Sequence, residues 1–466
     1  MNTKIRLIAA TILVLCWPVL LAAANTSTKP NILFIFADDW GWGDLSSHGH
    51  PYVQTPNIDR LIEEGTDFHR FTVASGVCSP SRTAVMTGQF PGRYNIDGHF
   101  AWVHQNASRN MPDWLDPDTV LLPRLLQQAG YATAHYGKWH LANDMIPDSP
   151  LPIVYGYDDY GAFNCAGIQM PVWDDAKNTI AFMRKAKKQG KPFFVNVWLH
   201  EPHTPHHTLP KYRWPYRDLE EPDEIYASII AHADDRVGDI LNALDKLDLT
   251  DNTLVIFSSD NGPARAAGPA KLETYRDSAS GVGYNTAASK GITGGRKGYK
   301  ASLFEGGIGV PFIARWPGKI ASGKVDAVSL MSAVDLLPTF CEIAGAELPD
   351  GYKPDGVSQV KTLMGKKYPS RTKPLYWYYN SPWPARSSKP DHWVSYAVVH
   401  KNWKLVTNKK GDYVELYDIA KDVYEKNDLK EMKPEVVQEL HKMLTVWQDS
   451  LPEGPDSKLF SSLREK

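Results

Sequence analysis

Residues 31–40 read NILFIFADDW: Ile32 to Ala37 are apolar without a break, and the run ends on two aspartates, Asp38 and Asp39. An unbroken β-branched and aromatic run of this length suits a strand covered on both faces, as in a parallel sheet flanked by helices. Three more runs end in the same abrupt way. YATAHYGKWH (131–140) ends on Lys138 and His140, PFFVNVWLHEPH (192–203) on His200, Glu201 and His203, and NTLVIFSSDNG (252–262) on Asp260 and Asn261.

Helical patterns separate these strands. TPNIDRLIEEG (55–65) has a Thr start and a Gly stop, and IIAHADDRVGDILNALDKLD (229–248) repeats apolar residues at helical spacing. The alternation predicts an open, doubly wound, mostly parallel α/β sheet, whose ligands bind beyond the carboxyl ends of the strands. All four polar clusters fall there. From about residue 370 the texture changes. KPLYWYYNSPW, WVSYAVVHKNWKLVTN and DYVELYDI read as a smaller antiparallel sheet, and KPEVVQELHKMLTVWQDSL as a helix packed on it. The expected division is a leader at 1–24, a catalytic domain at 25–370 and a C-terminal subdomain at 371–466. Residues 262–290, rich in Gly, Ala and Ser, are expected to form a long loop near the site.

The chain has 466 residues, 42% hydrophobic and 22% charged, with a formal net charge of −2. That is a globular composition, without the global field that would suggest nucleic acid or an acidic membrane. Lys4 and Arg6, the apolar stretch 7–21 and LAAAN read as a secretory signal cleaved after Ala24, so the protein is expected to be exported, periplasmic or secreted, with no stable membrane insertion. An uncleaved anchor is the other reading of this segment, although its apolar run is short for a spanning helix. Cleavage leaves Cys78, Cys165 and Cys341, an odd number and no disulfide framework.

Cys78 stands in VASGVCSPSRTAVMTG (73–88), among small polar residues at the start of a helix, where a structural core cysteine would not be placed. The C-S-P-S-R and T-A-x-M-T-G pattern resembles the signature of type I sulfatases, of the alkaline-phosphatase-like superfamily. PNILFIFADDWGWGDL, TPNIDRL, GYATAHYGKWHL, NTLVIFSSDNG, KASLFEGGIGVPFIARWPG and VELYDI follow in the family's order. A tyrosine-phosphatase cysteine would need Arg six residues on, where Ala84 stands. HEPHTPHH is not a zinc motif, because Thr204 occupies the place of the second histidine of HExxH and Pro202 breaks the helix.

The resemblance implies that Cys78 is oxidised to formylglycine by a maturation enzyme, and that Asp38, Asp39, Asp260 and Asn261, with the modified Cys78, hold Ca2+ in preference to Mg2+. It implies that Arg82 holds the formylglycine hydrate and that Lys138 and Lys300 bind sulfate. His140 would act as base and His203 as acid to the leaving group. Ala142 departs from the family's glycine after GKWHL. The chemistry is coherent, since a hydrated aldehyde offers hard oxygens to Ca2+ where a thiolate would be soft. The expected substrate is a sulfated polysaccharide or its oligosaccharides, with His48, His99, Arg386, Lys389 and His392 as candidate sugar contacts. The alternatives are a phosphodiesterase or phosphonate monoester hydrolase on the same scaffold, and a non-catalytic calcium-dependent glycan binder.

Overall fold

The computed structural model describes residues 29–266, 271–277, 279–366, 371–380 and 394–465. Among these described residues sixteen strands form: β1 Asn31–Asp38, β2 Thr66–Phe68, β3 Phe71–Thr72, β4 Ala132–Lys138, β5 Asp159–Phe163, β6 Phe193–Pro202, β7 Thr253–Ser259, β8 Thr274–Asp277, β9 Gly281–Tyr284, β10 Phe312–Arg315, β11 Lys324–Asp326, β12 Met331–Ser332, β13 Leu375–Tyr378, β14 Tyr396–His400, β15 Trp403–Thr407 and β16 Val414–Asp418. The large sheet has the order β11-β2-β10-β7-β1-β6-β4-β5. Its strands run parallel except β10, which is antiparallel to both β7 and β2.

The register places Phe34 of β1 opposite Ile256 of β7 and Asn196 of β6, at the sheet centre. Alternate β1 side chains supply two separate cores. Ile32, Phe34 and Phe36 join the cluster that contains the helices Cys78–Thr87 and Leu336–Ala344. Leu33, Ile35 and Ala37 join the cluster beneath the helices Asp175–Lys188 and Glu221–Lys246. A strand buried on both faces gains roughly 1.5–3 kcal/mol per large apolar side chain, which is why the run has no polar alternation.

The small sheet β13-β14-β15-β16 is antiparallel throughout and carries the helix Pro434–Gln448. Tyr376 stacks on Trp447 with centroids 4.9 Å apart. Trp377, on the neighbouring position of β13, donates its indole N–H to the Val73 carbonyl at 2.7 Å, in the segment that leads to Cys78. The small sheet is thus fastened to the strand-to-helix turn at the chemical centre.

Two local features refine the expectations. The helix after Val77 begins at Cys78, so Pro80, which on its own would mark a helix start two residues later, lies inside the first turn. Pro80 fits inside the first turn because N–H groups there have no intrahelical acceptor to lose. The Gly- and Ser-rich stretch is not merely a loop: β8 and β9 pair as a ribbon, and Tyr284 bridges to His206. No helix among the described residues is long and apolar enough to cross a membrane.

Candidate active site and metal centre

The carboxyl ends of β1, β4, β6 and β7 converge on Cys78. Asp38 is the last residue of β1 and accepts a hydrogen bond from the Cys78 thiol at 3.4 Å. Asp39 turns out of the strand with φ +68°, a left-handed conformation that aspartate tolerates better than most residues. Lys138 closes β4, with its ammonium on Asp38 and 3.7 Å from the Cys78 sulfur. Lys300, from the loop before the short helix Glu305–Ile308, reaches Asp39 at 2.6 Å. Asn261 donates its amide N–H to Asp39 at 2.7 Å, and Asp260 accepts the Asp39 backbone N–H at 3.2 Å.

The buried carboxylates of Asp38, Asp39 and Asp260 therefore face Lys138, Lys300 and Arg82, with 24% of the Lys300 side chain open to solvent. Burial and the neighbouring Asp38 push the Asp260 carboxyl up to about 7. Burial also raises Asp39. Asp38 ends well below the usual carboxylate range, because Lys138, with help from His203, Arg82 and Lys300, overcomes its burial. Asp39 and Asp260 thus resist ionisation, and an added cation would favour their charged forms. The carbonyl oxygen Oδ1 of Asn261 is buried with no hydrogen-bond partner among the described residues, as expected of a ligand oxygen. Asp38, Asp39, Cys78 and His203 bring ligand atoms within 4.8 Å of one another. The oxygen donors suit a hard cation.

Burial, reinforced by Asp260 and Asp38, holds the Cys78 thiol well above its ordinary pKa. As a cysteine it is a poor nucleophile, since the thiolate is the reactive form.

Arg82 is fully buried, 4.8 Å from the Trp198 ring centroid, and its hydrogen bonds go to Asp260 at 2.6 Å and to the Lys138 carbonyl at 3.1 Å. It holds the carboxylate and the lysine backbone in place. His140 donates Nε2–H to the Phe100 carbonyl at 2.9 Å, which leaves Nδ1 as a buried, unpartnered lone pair. Burial and Lys138 keep this ring neutral. His203 points Nε2 at Asp39, 3.9 Å away, sets Nδ1 on the Thr204 carbonyl at 2.5 Å, and has 26% of its side chain exposed. Burial and Lys138 lower its pKa too.

The candidate sugar contacts divide. His99 lies beside the centre, its ring 6.3 Å from that of His140. His48 is committed elsewhere: Nδ1 meets the Trp42 carbonyl at 2.7 Å, Nε2 meets Asp67 at 2.8 Å, and only 3% of its side chain is exposed. Such a ring is not free to face a sugar. Arg386, Lys389 and His392 lie outside the described residues. The sequence reading missed a cleft of about 540 Å³ lined by Asp97, Arg109, Asn380 and the tyrosines 378 and 396, which stack with centroids 4.6 Å apart. Arg109 ties this cleft to the site by donating to the His99 carbonyl at 2.8 Å. The clustering of YWYY was a usable signal; its pairing with Tyr396 across the antiparallel register was not visible in the sequence.

A doubly wound sheet with a buried acid-and-lysine cage at its carboxyl edge, facing the first residue of a helix, defines a hydrolase of the alkaline-phosphatase-like superfamily. The chain belongs to the sulfatase family and is a sulfatase: the family model for Sulfatase matches residues 30–346, and that for N-sulphoglucosamine sulphohydrolase, C-terminal, matches 297–450. It is 28% identical to an N-acetylgalactosamine-6-O-sulfatase of Bacteroides thetaiotaomicron, over 90% of this chain and 93% of the relative. It is 31% identical to the Homo sapiens N-acetylgalactosamine-6-sulfatase, over 77% of this chain and 70% of the relative. A solved Bacteroides thetaiotaomicron sulfatase, described with the metabolism of multiple glycosaminoglycans, superposes with TM-score 0.73 at 25% identity, covering 91% of this chain and all of that one.

Proposed function

We propose that this protein is an exported carbohydrate sulfatase that removes sulfate from a sulfated polysaccharide or its oligosaccharides, with formylglycine at position 78 and Ca2+ in the acidic cage. The observation that carries the reading is the convergence on Cys78 of Asp38, Asp39, Asp260 and Asn261 with two lysines. The names of the N-acetylgalactosamine sulfatase relatives favour a sugar substrate, as does the cleft with its stacked tyrosines. The division into a leader at 1–24, a catalytic unit at 25–370 and a C-terminal subdomain at 371–466 belongs to the same proposal, as does a maturation enzyme that oxidises Cys78.

Formylglycine would supply a hydrated aldehyde oxygen as nucleophile, and Ca2+ would neutralise the cage and draw in the sulfate oxygens. Asp38, Asp39, Asp260 and the Asn261 carbonyl oxygen would hold the cation. Lys138 and Lys300 would exchange their present carboxylate contacts for sulfate oxygens, so that fixed positive charge meets the ester where negative charge shifts in the transition state. The neutral His140 has its Nδ1 lone pair available to take a proton at position 78. The open His203 would deliver a proton to the leaving sugar oxygen, and the bound anion, by countering Lys138 and Lys300, would raise its pKa for that task. Arg82 would act through Asp260 and the Lys138 backbone.

The test has two arms. Protein made with a formylglycine-generating system is digested and the Cys78 peptide weighed, and desulfation is followed on defined sulfated oligosaccharides beside aryl sulfate and aryl phosphate diesters. The expected result is an aldehyde at position 78 and turnover of a sulfated sugar. Fully modified protein that hydrolyses only the phosphate diester would overturn the sulfatase chemistry; turnover of aryl sulfate with no sugar would overturn the substrate class.

A further inference from the structure

We propose that His48, Asp67 and His69 form a binding site for a divalent transition-metal ion of the zinc type, separate from the catalytic cage. Nε2 of His48 lies 2.8 Å and Nε2 of His69 3.0 Å from the same oxygen, Oδ2 of Asp67. One ligand atom from each residue falls within 4.8 Å of the others, and none of the three belongs to the cage around Cys78.

The tautomer of His48 argues for a cation. Its Nδ1 faces the Trp42 carbonyl at 2.7 Å, which can only accept, so Nδ1 carries the proton. In the neutral ring Nε2 is then a lone pair aimed at a carboxylate oxygen, and two acceptors at 2.8 Å repel unless a proton or a metal ion lies between them. An imidazole nitrogen anchored by the opposite N–H on a backbone carbonyl is the usual support of a metal-bound histidine. A second observation is independent of the first. The other Asp67 oxygen, Oδ1, is buried without a hydrogen-bond partner among the described residues, and the residue is 3% exposed. Two imidazoles and one carboxylate form the ligand set of a three-residue zinc site, with a fourth position left for water. His69 supplies the opening, since 29% of its side chain is exposed. Tetrahedral bonds of 2.0–2.1 Å would place each histidine nitrogen about 3.3 Å from the Asp67 oxygen, a widening of a few tenths of an ångström. Arg296 stacks on Trp42 at 4.5 Å and donates to the His69 carbonyl at 3.0 Å, and the nearby Glu305 counters its charge.

The site joins distant parts of the chain. His48 ends the loop that leaves the sheet after Asp38 and Asp39, Asp67 belongs to β2, and His69 lies between β2 and β3. An ion bound here would clip the loop beyond Asp38 and Asp39 to β2, across β7 and β10 from β1 in the sheet.

Co2+ is the probe, titrated into the intact protein with Ca2+ held at saturation and followed by its visible ligand-field absorption. The expected result is one bound Co2+ with an intense, low-symmetry spectrum, displaced by Zn2+, and a higher melting temperature. H69A, at the exposed edge, should weaken binding at least tenfold and remove the spectrum, and Asp67→Asn should do the same should His48→Ala fail to fold. No Co2+ uptake, or unchanged uptake and spectrum in H69A, would overturn the proposal and leave two ion-paired histidines.

Discussion

His140 and His203 lie in the same field of lysines and each sets one nitrogen on a backbone carbonyl, Phe100 and Thr204, so exposure is what separates their tasks. His140 is locked, with one nitrogen on the Phe100 carbonyl and the other buried and free, whereas His203 opens toward solvent. His203→Ala should therefore slow a sulfated sugar by roughly 100-fold or more while sparing nitrophenyl sulfate, whose leaving group needs little protonation. His140→Ala should slow both esters alike. Measured kcat on the two substrates decides this, and equal losses for His203→Ala would cancel its role as acid. The cage makes its own prediction. Asp39→Ala removes an anionic ligand and also takes from Lys300 its carboxylate partner, so activity should vanish. Exhaustive chelation should abolish turnover by the unaltered protein and added Ca2+ should restore it; full activity after chelation would contradict the metal assignment.

At the level of elements, strand ends and glycines set the geometry. Gly137 has φ +108°, and a Cβ there would lie 2.0 Å from the Trp198 carbonyl of β6. No side chain can be accommodated without parting β4 from β6, and Lys138 is the next residue. Gly137→Ala should cost upward of about 2 kcal/mol in denaturant unfolding and take most of the activity with it. The end of β6 carries a second device. Glu201 accepts from buried Arg236 at 3.0 Å, and Arg236 also meets Asp175 at 3.0 Å, joining β6 to two helices. Burial raises the Glu201 carboxyl, but Arg236 prevails and holds it at about 2, against an ordinary 4.5. A depressed carboxylate contributes stability that is complete above pH 4.5 and is lost as pH falls toward 2. The shift is worth about 3 kcal/mol. Asp175 works the other way, since burial lifts it to about 6 and its contribution falls as pH rises from 4 to 6. Glu201→Gln should thus lower stability at neutral pH and flatten the limb below pH 4.5 in unfolding curves; an unchanged limb would show that Arg236 is not what holds Glu201 down.

These elements also show what the sequence could tell. Doubly buried strands such as β1 were legible because burial on both faces forbids polar residues until the chemistry begins. Asp38, Lys138 and Asp260 could be brought to one edge from the sequence because they end or directly follow such strands, whereas the places of Cys78 on a helix and Lys300 in a loop depend on tertiary contacts. The ribbon β8–β9 was not legible, since its pairing depends on contacts such as Tyr284 with His206, some 80 residues away. The commitment of His48 was hidden for the same reason: Trp42 and Asp67 meet it only after folding.

Across the whole molecule, the small sheet matters to the site through a buried charge cluster. Lys404 of β15 is fully buried, with its ammonium 2.8 Å from Glu305 and 2.9 Å from Glu425. Glu305 starts the helix five residues after Lys300, and its backbone N–H donates to Glu425 at 2.6 Å. Lys300 itself is held by its backbone N–H on the Pro263 carbonyl, beside Asn261 and Gly262. A change in β15 therefore reaches Lys300, the lysine proposed to bind sulfate, through one short segment. Lys404→Met would leave two buried carboxylates facing each other, with Arg296 and Arg70 as the remaining cations acting on Glu305. Removing one partner of a buried ionic group costs about 3–5 kcal/mol, whereas replacing the whole group with neutral side chains is often nearly free. The single variant should therefore unfold at clearly lower denaturant concentration and lose kcat. The triple variant Lys404→Met, Glu305→Gln, Glu425→Gln should regain most of the stability. If the triple variant is stable but still slow, the charges themselves set the position of Lys300. If it regains both, the cluster serves only to dock the small sheet. A Lys404→Met protein as stable and as active as the parent would show that the two sheets are not coupled through this contact.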